Sequence, residues 1–355
     1  MDSITANDSL IHFNNTCYSS LNDYLAERNF SKIFILVDEN THQYCLPIFL
    51  EKLETETTLE IIEIESGEIN KNIDTCVGVW DTLSELDADR KSLMINIGGG
   101  VITDLGGFVA CTFKRGISYV NVPTTLLSMV DASVGGKTGV DLGHLKNQIG
   151  VISNPDLVLI DTQYLNTLPK NQMRSGLAEM LKHGLITGPV YWSKFEDLSK
   201  LSLDDLDGLI HESIEIKKNV VEEDPFEDGL RKTLNFGHTL GHAIESYFLS
   251  SPNKTTLLHG EAVVVGMILA CYISSELTGF PMEKTNAIKS LLTSYYGKVS
   301  IDKSEYGTIT ELLKYDKKNN HGNINFVLLE DIGKHKIDCL VDNQIIIDAF
   351  DYYAK

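Results

Sequence analysis

The sequence is poor in positive charge, with 30 lysines and arginines against 50 aspartates and glutamates among its 355 residues. The formal net charge of −20 creates a field that repels nucleic-acid backbones and anionic lipid surfaces at long range. We therefore expect neither nucleic acid nor a membrane as a partner. An anionic small molecule would need basic side chains gathered locally against the overall field.

Long apolar runs and cysteine pairs are also missing. The longest apolar run, Ala262–Ile273, is far shorter than the ~20 residues that cross a bilayer. The first fifteen residues lack the basic and apolar regions of a signal peptide, and the six cysteines include no CxxC pair. These absences predict a cytoplasmic protein with reduced thiols.

Two halves of the chain show different periodicity. The first half alternates helical stretches with short β-branched runs, at Ile33–Val37, Ile61–Glu65, Leu93–Ile97, Tyr119–Val122 and Leu157–Ile160. After Pro169, apolar residues recur at helical spacing over 171–187, 205–222, 229–249, 259–277 and 282–296. These patterns predict a Rossmann-like α/β parallel-sheet domain over residues 1–168 and a mostly α-helical domain over 169–355. We expect the active site in the cleft between the two domains.

A glycine run, Gly98-Gly99-Gly100, directly follows a predicted buried strand. Glycines at such a place let backbone N–H groups approach a pyrophosphate, and a following helix N-terminus favours its negative charge. The run is not a GxGxxG motif, because Thr103 stands where the last glycine would be. It indicates either a dinucleotide-phosphate loop or a simple turn that joins strand to helix.

A second glycine-rich stretch, Gly135-Gly136-Lys137-Thr138, is similar to the end of a Walker A loop. The GxxxxGK[ST] pattern would need a glycine at position 131, where this chain has Asp131, so a P-loop nucleoside triphosphatase is excluded. The polar residues Asp131, Lys137, Lys146 and Asn147 remain either ligand contacts or parts of a solvated loop.

The strongest local signal is the pair His238 and His242, with His259 downstream. Histidines four residues apart lie on one helical face, so both rings can reach one cation, and a third ligand from another helix would leave an open coordination position. Thr239 stands where a zinc protease would carry its general base, which excludes that class. The alternative is an ordinary surface or core histidine pair.

Several charged or polar residues of the helical half allow two interpretations. Glu179 and Lys182 are three residues apart, and Lys217, Arg231 and Asn235 flank the histidine segment. They are either solvated helix residues and a surface ion pair, or an anion-binding group that works against the overall charge.

Taken in order, these motifs resemble the 3-dehydroquinate synthase family. The resemblance runs from about Val37 to Gly333 and is carried by GGGVITDLGGFVACTFKRG, VPTTLLSMVDASVGGKTGVD, LKNQIG, SGLAEMLKHGLI, GLRKTLNFGHTLGHAIE and LHGEAV. It implies the two-domain fold of that family and a lyase that converts the sugar-acid phosphate DAHP (3-deoxy-D-arabino-heptulosonate 7-phosphate) to 3-dehydroquinate and phosphate. NAD is recycled in each turnover.

The resemblance also implies cofactor positions. A divalent zinc or cobalt ion would be held by Glu179, His242 and His259. The positions that match NAD contacts are Asp38, Asn40, Glu68, Lys71, Gly99, Gly100, Val101, Asp104, Thr124 and Thr125.

Substrate positions follow in the same way. Those that match are Asp131, Lys137, Asn147, Lys182, Lys217, Arg231, Asn235, His238 and Lys317, with Lys318 as a rival for the last. Spacing alone would make both His238 and His242 metal ligands, whereas the resemblance assigns His238 to the substrate. It further implies a homodimer in which Arg115 reaches the partner's site.

The sequence leaves three alternatives open. Another sugar phosphate cyclase would share most motifs, and a metal-dependent polyol or alcohol dehydrogenase would share the two-domain plan. A non-catalytic NAD-binding regulator would not need the polar residues named above.

Overall fold

The computed structural model of the chain describes residues 1–6, 8–143, 145–198, 202–315 and 324–355. The chain forms two compact units. Unit 1 comprises Met1–Met173 with Ile210–Lys218, and unit 2 comprises Arg174–Leu209 with Asn219–Lys355. The domain boundary between residues 168 and 169 stays a prediction.

Unit 1 is built on a seven-stranded sheet. In chain order, the strands of the unit are β1 (Ile4–Ala6), β2 (Ser9–Phe13), β3 (Ile33–Asp38), β4 (Leu59–Ile64), β5 (Leu93–Gly98), β6 (Ser118–Pro123), β7 (Lys137–Leu142), β8 (Leu145–Ile152) and β9 (Leu157–Ile160). The sheet order is β1-β2-β9-β6-β5-β3-β4, and every neighbouring pair except β1 and β2 is parallel. All five strands predicted from β-branched runs are present, which confirms the predicted parallel sheet.

Helices connect these strands. They are α1 (Asn15–Glu27), α2 (Glu39–Tyr44), α3 (Leu46–Lys52), α4 (Ile73–Glu85) and α5 (Gly100–Thr112). Strands β3 and β5 are buried along almost their whole length, as expected of parallel strands covered on both faces. The chain runs from β3 outward to β4 and then returns to β5 on the other side of β3. This reversal is the topological switch point at which open α/β sheets bind ligands.

Strands β7 and β8 lie outside the main sheet and form an antiparallel hairpin. For this stretch the sequence left a solvated loop as one alternative, and the structure shows a paired ribbon instead. Its outer strand β8 is largely exposed and shows no alternation of buried and exposed residues. A pairing of this kind is decided by a cross-strand partner and leaves little hydrophobic periodicity in the sequence.

Unit 2 is mostly helical, as predicted. Its elements are α6 (Lys170–Thr187, which begins in unit 1), α7 (Pro189–Trp192), α8 (Leu203–Glu223), α9 (His238–Ser250), α10 (His259–Leu277), α11 (Met282–Tyr296), α12 (Tyr306–Leu312), α13 (Asn343–Ala354) and the hairpin β10 (Asn325–Asp331) and β11 (Lys334–Leu340). The central helix α10 packs against α9, α11, α13 and β10. By length and composition α10 could cross a membrane, but 72% of its apolar window is buried inside the protein, as in a core helix.

The helix predicted over 229–249 is broken. A 3₁₀ helix, Leu230–Asn235, is separated from α9 by Gly237, whose φ of +77° is a left-handed conformation that favours glycine. A Cβ on Gly237 would lie 2.6 Å from Met267 Cγ, and one on Gly266 would lie 2.0 Å from the Gly237 carbonyl oxygen. The two glycines therefore allow the close approach of α9 and α10, which places their histidines side by side.

Candidate active site

Three histidines of unit 2 form one cluster. His238 and His242 lie one turn apart on α9, and His259 is the first residue of α10. One ring nitrogen from each lies within 4.8 Å of the other two. The mutual arrangement predicted from the sequence is therefore present, and it depends on the glycine-mediated approach of the two helices.

Glu179 adds a buried carboxylate to this cluster. It lies on α6 with no exposed surface, and its Oε1 atom is 3.3 Å from His238 Nε2 and 3.5 Å from His259 Nε2. Neither contact is a well-aligned hydrogen bond, so among the described residues this buried oxygen has no hydrogen-bond partner. Burial of a carboxylate oxygen without a hydrogen-bond partner is unfavourable, and a bound cation would compensate for it.

The other oxygen of Glu179 accepts a hydrogen bond from Lys182, which is also buried. Although burial by itself would raise the pKa of Glu179, the charges of Lys182 and His238 hold that pKa well below its ordinary value. The carboxylate is therefore anionic over the physiological range and available as a ligand.

These four groups fit a divalent zinc or cobalt ion, since imidazole nitrogen and carboxylate oxygen are common ligands of such ions. The structure places Glu179 and the three histidines in one cluster, and the ligand set that the resemblance implies, Glu179, His242 and His259, stays a prediction within it. It places His238 equally within the cluster, in contact with Glu179 Oε1. The assignment of His238 to the substrate and of His242 to the metal stays a prediction.

A loop before α9 positions two further predicted residues, Arg231 and Asn235. Asp224 Oδ2 accepts hydrogen bonds from the backbone N–H groups of Gly229 and Arg231, at 2.7 and 2.9 Å, and so holds the 3₁₀ helix that carries both residues. Arg231 is only 2% exposed, and its Nη1 donates to the Pro225 carbonyl oxygen.

Asn235 Nδ2 donates to Glu227 Oε1 at 2.6 Å. Both side chains line a cavity of about 260 Å³ together with Phe226, Lys232, Thr239, Asn325, Phe326, Val327 and Asp338. The sequence interpretation did not include Glu227 as a site residue, although the resemblance matches it to an acidic position just before the GLR segment.

In unit 1, the predicted nucleotide residues gather at the carboxyl ends of three neighbouring strands. Asp38 ends β3 and caps α2, since its Oδ1 accepts from the Thr41 N–H at 2.8 Å. The Thr124 N–H after β6 donates to the carbonyl oxygen of Gly98, which ends β5, at 3.0 Å. A Cβ on Gly99 would lie 3.0 Å from the Thr125 side chain, so the glycine keeps this edge open. The remaining predicted residues of this edge are Asn40 in α2 and Gly100 and Val101 at the start of α5.

A buried polar network joins three more predicted residues. Lys71 Nζ donates to Asp104 Oδ2 and to Asn147 Oδ1, each at 2.6 Å. Burial raises the pKa of Asp104 to about 6, although the neighbouring Lys71 acts in the opposite direction. Glu68 lies beside them and pairs with Lys146 at 2.7 Å.

The other predicted substrate residues occupy different places. Lys217, expected in the helical half, lies on the segment of α8 that belongs to unit 1, where its ammonium donates to the carboxylate and carbonyl oxygens of Asp131. Lys137 is exposed at the start of β7, and Arg115 is exposed in the turn after α5 with a φ of +71°. Lys317 and Lys318 lie outside the described residues.

The chain matches two protein-family models. The family models for the N-terminal and C-terminal parts of 3-dehydroquinate synthase match residues 61–175 and 176–319. A 3-dehydroquinate synthase of Parabacteroides distasonis is 42% identical over 339 residues, which is 95% of each chain. The chain belongs to the 3-dehydroquinate synthase family. It is therefore an enzyme of the lyase type, and the dehydrogenase and regulator alternatives are not favoured.

Solved structures related to this 3-dehydroquinate synthase family member share its fold. A 2-deoxy-scyllo-inosose synthase, complexed with carbaglucose-6-phosphate, NAD⁺ and Co²⁺, has a TM-score of 0.86 and 26% identity over 99% of both chains. The 2-epi-5-epi-valiolone synthase ValA of Streptomyces hygroscopicus, with NAD⁺ and Zn²⁺ bound, has a TM-score of 0.80 and 23% identity over 100% of this chain and 98% of its own. The latter likeness concerns the fold alone. Both confirm the predicted fold class.

Proposed function

We propose that this protein is a 3-dehydroquinate synthase that converts DAHP to 3-dehydroquinate and phosphate, with bound NAD and a divalent zinc or cobalt ion. The observation that carries the proposal is the convergence of Glu179 with three imidazoles in a chain of this family. The strand ends that carry Asp38, Gly99 and Thr124 support the NAD site.

When bound, NAD supplies reversible hydride transfer and the divalent ion supplies Lewis acidity, so the reaction has no net redox change. The chain itself orients a multiply charged anion. Lys182, Lys217 and Arg231 are almost fully buried cations, and each is held by a carboxylate or carbonyl oxygen, so little reorganisation is needed when substrate binds. These preorganised cations offset the repulsion from a chain of net charge −20.

The test is a product assay. Incubation of the purified protein with DAHP, NAD and zinc is expected to release inorganic phosphate without lasting formation of NADH. Net NADH accumulation would indicate a polyol dehydrogenase, and absence of phosphate release would indicate a cyclase of a different sugar phosphate. Lys182→Met is expected to lower kcat/KM by about 10²–10³-fold, as removal of a preorganised charge contact does. The exposed Lys194→Met variant is the control and is expected to retain activity.

We further propose a cytoplasmic homodimer in which Arg115 completes the partner's site. Its exposure in a turn supports this role. Lys137→Ala and Arg115→Ala variants are each expected to be inactive. Mixing them with subunit exchange is expected to restore about a quarter of wild-type activity, because half of the dimers are mixed and each of these has one intact site. Recovery of no activity would contradict the shared site.

A further inference from the structure

We infer that Glu245 is a positioning residue for the proposed metal site. Its carboxylate holds the imidazole of His259 through Nδ1, the ring nitrogen that does not face Glu179. Glu245 Oε2 lies 3.0 Å from His259 Nδ1, whereas the other ring nitrogen, Nε2, lies 3.5 Å from Glu179 Oε1. The two nitrogens of one ring therefore contact two different carboxylates. This inference rests on the proposed function, because it concerns a ligand of the proposed metal.

Glu245 lies on the same face of α9 as His238 and His242. It follows His242 by three residues and His238 by seven, so all three side chains share one face of α9. The side chain of Glu245 is 10% exposed. One face of α9 thus carries two rings of the histidine cluster and, one turn further on, the carboxylate that reaches the third ring from the neighbouring helix.

The position of His259 makes a second contact to its ring important. It is the first residue of α10, and its side chain is 26% exposed. The backbone before it is capped by Glu261, whose Oε2 accepts from the Leu258 N–H at 3.0 Å, but that contact leaves the ring free to rotate. The hydrogen bond to Glu245 restricts the rotation of the ring.

The chemical consequence concerns which nitrogen carries the proton. A carboxylate that accepts from Nδ1–H keeps the neutral ring in the tautomer whose Nε2 lone pair is directed at the cation. It also increases the basicity of Nε2 as a ligand. Removal of such outer partners typically weakens metal binding by about 10–100-fold.

The experiment measures metal binding by the purified full-length protein. The zinc dissociation constant is determined by competition with a chromophoric chelator, and the visible spectrum of the Co²⁺ form reports the ligand geometry. The variants are Glu245→Ala, Glu245→Gln and the matched control Glu305→Gln. Glu305 is also a partly buried carboxylate, 12% exposed, and it accepts from Tyr247 of the same helix at 2.8 Å.

We expect Glu245→Ala to bind zinc about 10–100-fold more weakly and to show an altered Co²⁺ spectrum. Glu245→Gln, which keeps a neutral acceptor, should show a smaller loss, and Glu305→Gln should bind as the wild type does. If Glu245→Ala does not fold, the zinc dissociation constant and the Co²⁺ spectrum of Glu245→Gln test the inference.

Two results would overturn the inference. Wild-type zinc affinity and an unchanged Co²⁺ spectrum in the Glu245 variants would show that Glu245 does not position His259, and would not affect the proposed metal site. A wild-type protein that binds neither zinc nor cobalt would contradict both the role of Glu245 and the proposed metal site. The wild-type titration therefore separates failure of the inference from failure of the proposed function.

Discussion

The Lys71 ammonium donates a 2.6 Å hydrogen bond to the amide oxygen of Asn147, and so joins two residues that the family resemblance assigns to different ligands. Lys71 is a predicted NAD contact and Asn147 a predicted substrate contact. Because Oδ1 accepts from Lys71, the NH₂ group of the Asn147 amide is directed away from it, as a donor for an anion. The same ammonium is held by Asp104 at 2.6 Å.

Lys71→Met is expected to weaken the binding of both ligands. The variant leaves the buried Asp104 carboxylate without its cation, at a cost of roughly 3–5 kcal/mol in comparable pairs, and frees the Asn147 amide to rotate. We expect the NAD dissociation constant and the KM for DAHP each to rise by about tenfold or more. Fluorescence titration and steady-state kinetics measure the two effects.

Lys303→Met is the control, since this lysine also pairs with an aspartate but is 76% exposed. It is expected to change neither constant. A Lys71→Met variant that binds NAD poorly but keeps the wild-type KM would contradict the link between Lys71 and Asn147.

The pKa of Asp104 predicts how NAD binding depends on pH. Burial raises this pKa from its ordinary value of 3.8 to about 6, so the carboxylate is protonated below that pH and ionised above it. A proton removes part of its capacity to accept hydrogen bonds from NAD and also removes the anion that pairs with Lys71. NAD affinity is therefore expected to increase as the pH rises through about 6 and then to level off.

Calorimetric titration of NAD between pH 5 and 8 measures this profile (roughly the range over which a group of pKa near 6 changes its charge). Asp104→Asn, which cannot ionise, is expected to bind weakly with a flat profile. A sloping profile near pH 6 in Asp104→Asn would assign the titration to another group.

Gly237→Ala tests the approach of α9 and α10. The new Cβ would lie 2.6 Å from Met267 Cγ and 2.9 Å from Met267 N, and the φ of +77° is strained for alanine. Separation of the helices would spread the histidine cluster, so we expect loss of zinc together with a destabilisation of about 1–3 kcal/mol or more. Zinc content and thermal unfolding provide the measurements.

Gly279→Ala separates the effect of backbone strain from the effect of the close contact with Met267. Gly279 has a similar φ of +79°, but nothing lies within 4 Å of its Cβ position. This control is expected to show the backbone strain and to retain zinc. Full zinc content in Gly237→Ala would show that the cluster does not depend on the close contact.

Alanine variants of the histidine pair decide the roles that the sequence left ambiguous. If spacing alone decided the ligands, His238→Ala, His242→Ala and His259→Ala would each lose zinc, since one ring nitrogen of each lies within 4.8 Å of the other two. The family-based assignment instead predicts the loss in His242→Ala, with His238→Ala affecting KM. Zinc content by mass spectrometry and the KM of each variant distinguish the two assignments. Retention of zinc by His238→Ala would support the family-based one.

Much of this protein was determined by local sequence pattern. The strand Leu157–Ile160 and the helices His259–Leu277 and Met282–Tyr296 have the predicted limits, because their apolar periodicity is continuous and their ends carry turn residues. The family resemblance identified Glu179 and the three histidines as site residues, whereas spacing alone left an ordinary histidine pair and a surface ion pair as alternatives.

Only the tertiary structure decided the rest. The pairing of β7 with β8, the break at Gly237 and the partners of Lys71 and His259 all depend on residues beyond the reach of one helix or strand pattern. Periodicity reports which face of an element is buried, but it does not report which element covers that face. For this reason the sequence indicates which side chains could act together, and the packing of α9 against α10 determines which nitrogen and oxygen atoms meet.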